Sequence, residues 1–241
     1  PWAIARHGRH FLPREDLAAH GLRTFFLAGA MSFYFLCIAV APLADVTSAY
    51  FVGPVIATGL AVMLLGEKMT VRKALSLALG AAGTFIVVNP TGSLNSGLLF
   101  GVASGALYAF YIIATRKASR NSDPVKTLAM QCLLGSVILL PQALWTWSMP
   151  TQDTIWLLLA MGLLSAVSHA MAITGFRHAE ASLLAPLVYL ELVGAIVIGY
   201  LFFADLPGAR VLFGAAVIVA AGLMLWQRRM AATIAEGEAT K

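Results

Sequence analysis

The chain has 241 residues, 60% of them hydrophobic and only 11% charged, with a formal net charge of +5. A soluble domain is nearer about 45–50% apolar and about 25% charged, so the composition excludes the soluble classes and indicates a polytopic helical membrane protein. The positive charge then reads as a topology signal rather than as a nucleic-acid footprint. Cys37 and Cys132, both inside apolar stretches, point to packing and not to a disulfide or a metal site.

The opening PWAIARHGRH shows no signal-peptide pattern. It reads as the end of a span entering a basic loop, so further helices are expected upstream. Eight apolar runs follow, at roughly 23–41, 45–65, 72–89, 97–116, 125–148, 154–176, 182–203 and 209–227. Each is long enough, or nearly so, to cross about 30 Å of hydrocarbon at about 1.5 Å per residue. Trp145, Trp147 and Trp156 fall near span ends and read as interfacial anchors. The segment from Arg228 to Lys241 is expected to be a polar, disordered tail. The fold class is therefore all-α, a membrane helix bundle.

Lys and Arg residues divide by side. Arg6, Arg9, Arg14 and Arg23 precede or open the first span; Lys68, Arg72 and Lys73 fill the next loop on that side. Arg116, Lys117, Arg120, Lys126, Arg177, Arg228, Arg229 and Lys241 complete the set, leaving Arg210 as the sole exception. The rich side is predicted to be cytoplasmic, C-terminus included.

An internal repeat underlies this pattern. Ala41–Gly83 has a weaker copy 138 residues later, Ala179–Gly222, which aligns Glu67 with Asp205 and the turn EKMTVRK with ADLPGAR. The first turn falls on the basic side and the second on the opposite side, so the copies have opposite orientations. Span two pairs with seven and three with eight. A ten-span parent of two inverted five-helix halves is expected, with residues 1–90 the remainder of the first, 91–228 the second, and 229–241 the tail. Inverted repeats are a transporter signature, because two halves can rock about a central site.

The same residues carry a family resemblance. Pro54, then Gly66-Glu67, then Gly83 sixteen residues after the glutamate, resembles the EamA-type domain of the drug/metabolite transporter superfamily. The resemblance covers nearly the whole chain. It implies ten helices, two inverted halves around a central cavity, and movement of a small metabolite across a bacterial inner membrane. The second copy departs from the pattern: Leu192 stands at the proline position with Pro186 six residues earlier, and Asp205 replaces the glutamate. Gly214 agrees, whereas Ser76 stands at the matching place in the first copy, and Gly222 comes one residue late.

Glu191, near the middle of the seventh span, is the most informative residue. A charge at bilayer depth costs on the order of 2.5–3.5 kcal/mol even on a lenient scale. It should face a cavity or partner, or carry a proton, which gives a coupling or substrate-amine site or a neutral acid bonded to a neighbouring helix. His169 shares a face with Gly162, Ser165 and Ala172 and is either a packing residue or a proton relay. Gly97, Gly101 and Gly105 permit close helix approach, within the bundle or in a homodimer. Tyr108 and Tyr111 continue that side as cavity or packing residues. Thr47, Phe51, Pro54 and Thr58 share a face, with Tyr50 and Tyr34 as further cavity candidates. Pro54 predicts a kink, and Glu67 reads as a loop-end carboxylate serving Lys68, Arg72 or Lys73.

These features favour a secondary transporter of a small organic solute in a lipid bilayer, with proton coupling one option and no cofactor, metal or nucleic acid required. No G-x-x-x-x-G-K-[ST] phosphate loop indicates a pump, and no H-E-x-x-H a zinc enzyme. A membrane sensor or structural protein is the alternative. An intramembrane protease using Ser104 and His169 is a distant third, since no G-x-S-x-G surrounds Ser104.

Overall fold

The computed structural model describes residues 17–40, 43–88, 96–119, 122–203 and 208–239. Its regular structure is helical, with no strand among the described residues. In chain order the elements are α1 (Leu17–Val40), α2 (Leu43–Tyr50), α3 (Gly53–Leu65), α4 (Val71–Val88), α5 (Ser96–Ser119), α6 (Pro124–Trp145), α7 (Gln152–His178) and α8 (Ala181–Leu184). A 3-10 turn (Ala185–Tyr189), α9 (Leu190–Phe203) and α10 (Ala209–Ala239) complete it. Among the described residues, six stretches are long and apolar enough to cross a membrane, beside two shorter apolar helices.

The described residues of the predicted runs lie mainly on helix, with 146–148 past the end of α6, but two runs are not single helices. The second was expected to kink at Pro54. It breaks instead: Phe51 and Val52 form a turn, and α3 restarts with Pro54 in its first turn. That position suits proline, whose missing N–H costs nothing among the unpaired donors of a first turn. The seventh run breaks likewise into α8, the 3-10 turn and α9, with Pro186 in the first turn of the 3-10 segment. The tail is also corrected. α10 continues to Ala239, because MAATIAEGEA is rich in Ala, Met and Glu, which favour helix without an apolar partner.

The chain divides into two compact units, Pro1–Gly29 with Phe110–Glu180, and Ala30–Ala109 with Ala181–Lys241. In the first unit α6 packs on α7. α6 begins on Asp123, whose side chain accepts from the N–H groups of Val125 and Lys126 at 2.9 and 3.3 Å, a favoured N-cap. Phe26 and Phe110 stack at 5.3 Å. On the face of α7 that His169 shares with Gly162 and Ser165, those two residues are exposed, and burial begins only near Ile173 and Phe176. Most of α7 is apolar all round, so periodicity cannot choose its buried side.

In the second unit α4 crosses α10 at two glycines of the motif. A Cβ on Gly83 would lie 2.9 Å from the Gly214 carbonyl oxygen, and one on Gly214 would lie 2.9 Å from that of Gly83. Backbone meets backbone there, and no side chain fits. Ser76 extends the crossing by donating to the Ala221 carbonyl at 2.8 Å.

Candidate functional site

Both broken spans lie in the second unit and contribute to the wall of a cavity of about 350 Å³, with Phe51 at the first break and Glu191 just after the second. Its wall is Met31, Tyr34 and Phe35 of α1, Thr47 and Tyr50 of α2, Phe51 at the first break, and Glu191 and Leu192 of α9. Glu191 stands in the first turn of α9, directly after the 3-10 turn. The second break therefore moves this residue from mid-helix, where the sequence placed it, to a helix start. No lysine or arginine is among the described lining residues.

Aromatic rings run along this wall. Tyr34 and Tyr50 meet edge to face at 5.2 Å, Tyr50 and Phe51 at 5.5 Å, and Phe51 and Tyr189 at 5.6 Å. Tyr108 of α5 joins at 5.4 Å from Tyr50. The first break also frees a carbonyl. Val55 N–H bonds to the Val52 oxygen instead of that of Phe51, and the Tyr189 hydroxyl donates to the Phe51 oxygen at 3.2 Å. Phe51 and Tyr189, the residues so joined, are aligned by the 138-residue offset. They also border a second, mainly apolar cavity of about 210 Å³.

The structure thus brings Glu191, Thr47 and Tyr50 to one cavity, with Tyr108 against Tyr50 and with Pro54 and Pro186 at the breaks. Gly101 faces Ala49 and Cys37, and Gly105 faces the Tyr50 carbonyl and Gly53, so these two glycines seat α5 on the first broken span. Gly97 lies in the first turn of α5. Ser104, weighed as a nucleophile, is buried and donates to the Ala30 carbonyl at 2.7 Å.

Tyr111 and His169 belong to the first unit, where the Tyr111 hydroxyl and His169 Nδ1 are 3.2 Å apart. Beside them is a residue that the sequence misassigns. Arg23 was counted as a basic topology signal; it is fully buried, two turns into α1. Its Nε donates to Thr115 Oγ1, Nη1 to the Thr127 carbonyl and Nη2 to Gln131 Oε1. Its guanidinium carbon lies 5.5 Å from the centre of the Tyr111 ring, a cation–π distance. The spacing of His20, Arg23 and Thr24 on one helical face was the signal that could have shown it.

Glu67 reaches beyond its local turn. It is buried, and its carboxylate oxygens accept from the backbone N–H groups of Ala181 and Ser182 at 2.9 and 2.8 Å. It therefore serves the start of α8 across more than a hundred residues, beyond the local loop. Gly66 makes the turn into it with φ of 63°, a left-handed conformation that favours glycine. Lys73, also buried, donates to Ser182 Oγ at 2.7 Å and to the Lys68 carbonyl at 3.0 Å. Asp205, the counterpart of Glu67, lies outside the described residues.

Comparison with known proteins places these features in context. The EamA-like transporter family matches residues 1–89 and 95–227. An uncharacterized transporter of Archaeoglobus fulgidus is 27% identical over 89% of this chain and 78% of its own length. An S-adenosylmethionine uptake transporter of Rickettsia felis is 26% identical over 91% and 75%. A riboflavin transporter of Vibrio cholerae is 26% identical over 88% and 72%. A protein of known crystal structure, 19% identical, aligns with a TM-score of 0.76 over 93% of this chain and 82% of its own, a likeness of fold.

Proposed function

The chain belongs to the EamA-like transporter family, and from that premise we propose that it moves a small organic metabolite by alternating access about the Glu191 cavity. It is a multi-pass membrane protein and a small-molecule transporter, not an enzyme. The observation that carries the mechanism is the cavity at the two interrupted spans, with a carboxylate at its wall. Irregular backbone at membrane depth is tolerated only where it is buried in protein or lines a cavity. In discontinuous helices such breaks are where transporters bind and bend. Two inverted halves of a ten-span parent would reorient about this point, with Phe51–Val52 and residues 185–189 as hinges. Glu191 would hold substrate or a coupling proton, and Thr47, Tyr50 and Tyr108 would shape the cavity. Tyr111 and His169 form a second polar pair available for proton transfer. The membrane is taken as a bacterial inner membrane, with the basic loops and C-terminus cytoplasmic.

The test uses proteoliposomes loaded with a pool of cell metabolites that includes S-adenosylmethionine and riboflavin, the compounds named for the relatives. Loss of each is followed by mass spectrometry with and without a pH gradient. Selective loss is expected, and Glu191→Gln should slow it at least about tenfold, the effect of about 1.4 kcal/mol on a rate-limiting barrier. Gradient-sensitive transport unchanged in that variant removes Glu191 from the mechanism. Absence of selective loss from correctly inserted protein favours a sensor.

A further inference from the structure

We infer that the Glu191 cavity selects flat, ring-bearing organic cations, an assignment of substrate class that rests on the transporter reading above. Three observations combine. First, the wall carries one carboxylate and, among its described residues, no basic side chain. A bound anion would face Glu191 with nothing beside it to balance the charge, whereas a cation would complete an ion pair in a medium of low dielectric.

Second, the rest of the wall is unusually aromatic. Tyr34, Tyr50 and Phe51 are lining residues linked ring to ring at 5.2 and 5.5 Å. Aromatic faces attract cations through the ring quadrupole, more strongly when the site is desolvated, and they stack on flat rings. An inorganic cation would use the carboxylate but not these faces, and it would want several oxygen ligands. Beside Glu191 the wall offers only the neutral hydroxyls of Tyr34, Thr47 and Tyr50, and no cluster of three or more His, Cys, Asp or Glu exists among the described residues. Third, the volume of about 350 Å³ lies in the range of small-molecule sites. It is far larger than a metal ion or a proton requires. The carboxylate would thus set charge and the rings would set shape.

The experiment is calorimetric titration of the full chain in lipid nanodiscs at pH 8 with three probes of one shape. N-methylquinolinium is a flat cation, quinoline is neutral at that pH, and quinoline-2-carboxylate is an anion. Empty nanodiscs supply the partitioning background. The cation should bind at least about tenfold more tightly than quinoline, the gain expected from ion pairing plus a desolvated cation–π contact. The anion should bind most weakly. Glu191→Gln should reduce the cation-to-neutral ratio to under about twofold, and Tyr50→Leu should weaken both of those probes.

Equal binding of cation and quinoline, preference for the anion, undetectable binding of the cation, or full cation preference in Glu191→Gln would each overturn the assignment. The probe comparison in the unmodified chain needs no variant to fold. Failure of the two proposals is separable. Proteoliposomes that move neutral or anionic solutes without cation preference would overturn the substrate class and keep the transporter. Cation-selective binding with no movement of any solute would keep the site and remove alternating access.

Discussion

Replacing Glu67 tests whether a buried carboxylate ties the turn after α3 to the start of α8. Its two oxygens hold the N–H groups of Ala181 and Ser182 at 2.9 and 2.8 Å, and both of those residues are fully buried. Water cannot replace the carboxylate without opening the contact. A hydrogen bond to a charged group contributes about 1.5–3 kcal/mol, and a buried donor left unpaired costs about 1–3 kcal/mol. Glu67→Ala should therefore destabilise the chain by about 3–6 kcal/mol. For a protein of this size each kcal/mol shifts the melting temperature by about 2–4 °C, so a fall on the order of 10 °C is expected. Glu67→Gln keeps one acceptor oxygen and should lose about half as much. The assay is intrinsic-fluorescence melting of purified protein in a single detergent, with the exposed Arg72→Gln as control. If Glu67→Ala melts within about 2 °C of the parent, or below it by no more than Arg72→Gln, the inferred tie carries no energy and the reasoning fails.

Two other substitutions probe separate parts of the fold. A Cβ at Gly83 would sit 2.7 Å from Ile218 Cγ1 and 2.9 Å from the Gly214 carbonyl oxygen; Gly83→Val should cost at least about 3 kcal/mol through forced helix separation, seen as a lower melting temperature or loss of monodisperse protein. Gly21→Val, with nothing within 4 Å of the added Cβ, should be close to neutral. Arg23→Lys should destabilise by about 2–4 kcal/mol, because a single ammonium nitrogen cannot reach the three acceptors, on Thr115, Thr127 and Gln131, that the three guanidinium nitrogens meet; a melting temperature equal to the parent would show that the guanidinium fork is dispensable.

The sequence was informative where apolar length decides structure. The described parts of all eight runs lie mainly on helix because bilayer thickness and internal backbone bonding leave little alternative. It was less informative where a span breaks. Pro54 announced a disturbance, but a kink and a full break share one signature, since both follow from the same missing N–H. Pro186 lies five residues before Glu191, and that break changed the setting of the carboxylate from mid-helix to first turn. Thr47 was read as sharing a helical face with Phe51, whereas Tyr50 and Glu191 were picked separately, and nothing in the chain said that all of them share a wall. Charge proved the least legible property. Arg23, Glu67, Lys73 and Arg116 all look like loop or span-end charges by position, yet all four are buried. Position along the chain gives depth in the membrane, but not whether a neighbouring helix covers the residue.

Those buried charges share a logic with the broken spans. A helix that ends inside a bundle exposes N–H or C=O groups that lipid cannot satisfy. Glu67 meets the amides at the start of α8, and Arg116 Nη1 meets the Phe176 and Arg177 carbonyls at the end of α7, at 2.6 and 3.2 Å. Tyr189 meets the carbonyl freed at Phe51. With only 11% of its residues charged, the chain places several of them where a helix end needs a partner. Such bonds restrict motion. Glu67 and Lys73 both hold the start of α8, so the turn between α3 and α4 and the start of α8 should move together. The breaks at Phe51–Val52 and the 3-10 turn are joined by the neutral hydrogen bond from the Tyr189 hydroxyl to the Phe51 carbonyl. If transport proceeds by alternating access, bending should concentrate there, beside Glu191, and leave the capped helix ends intact.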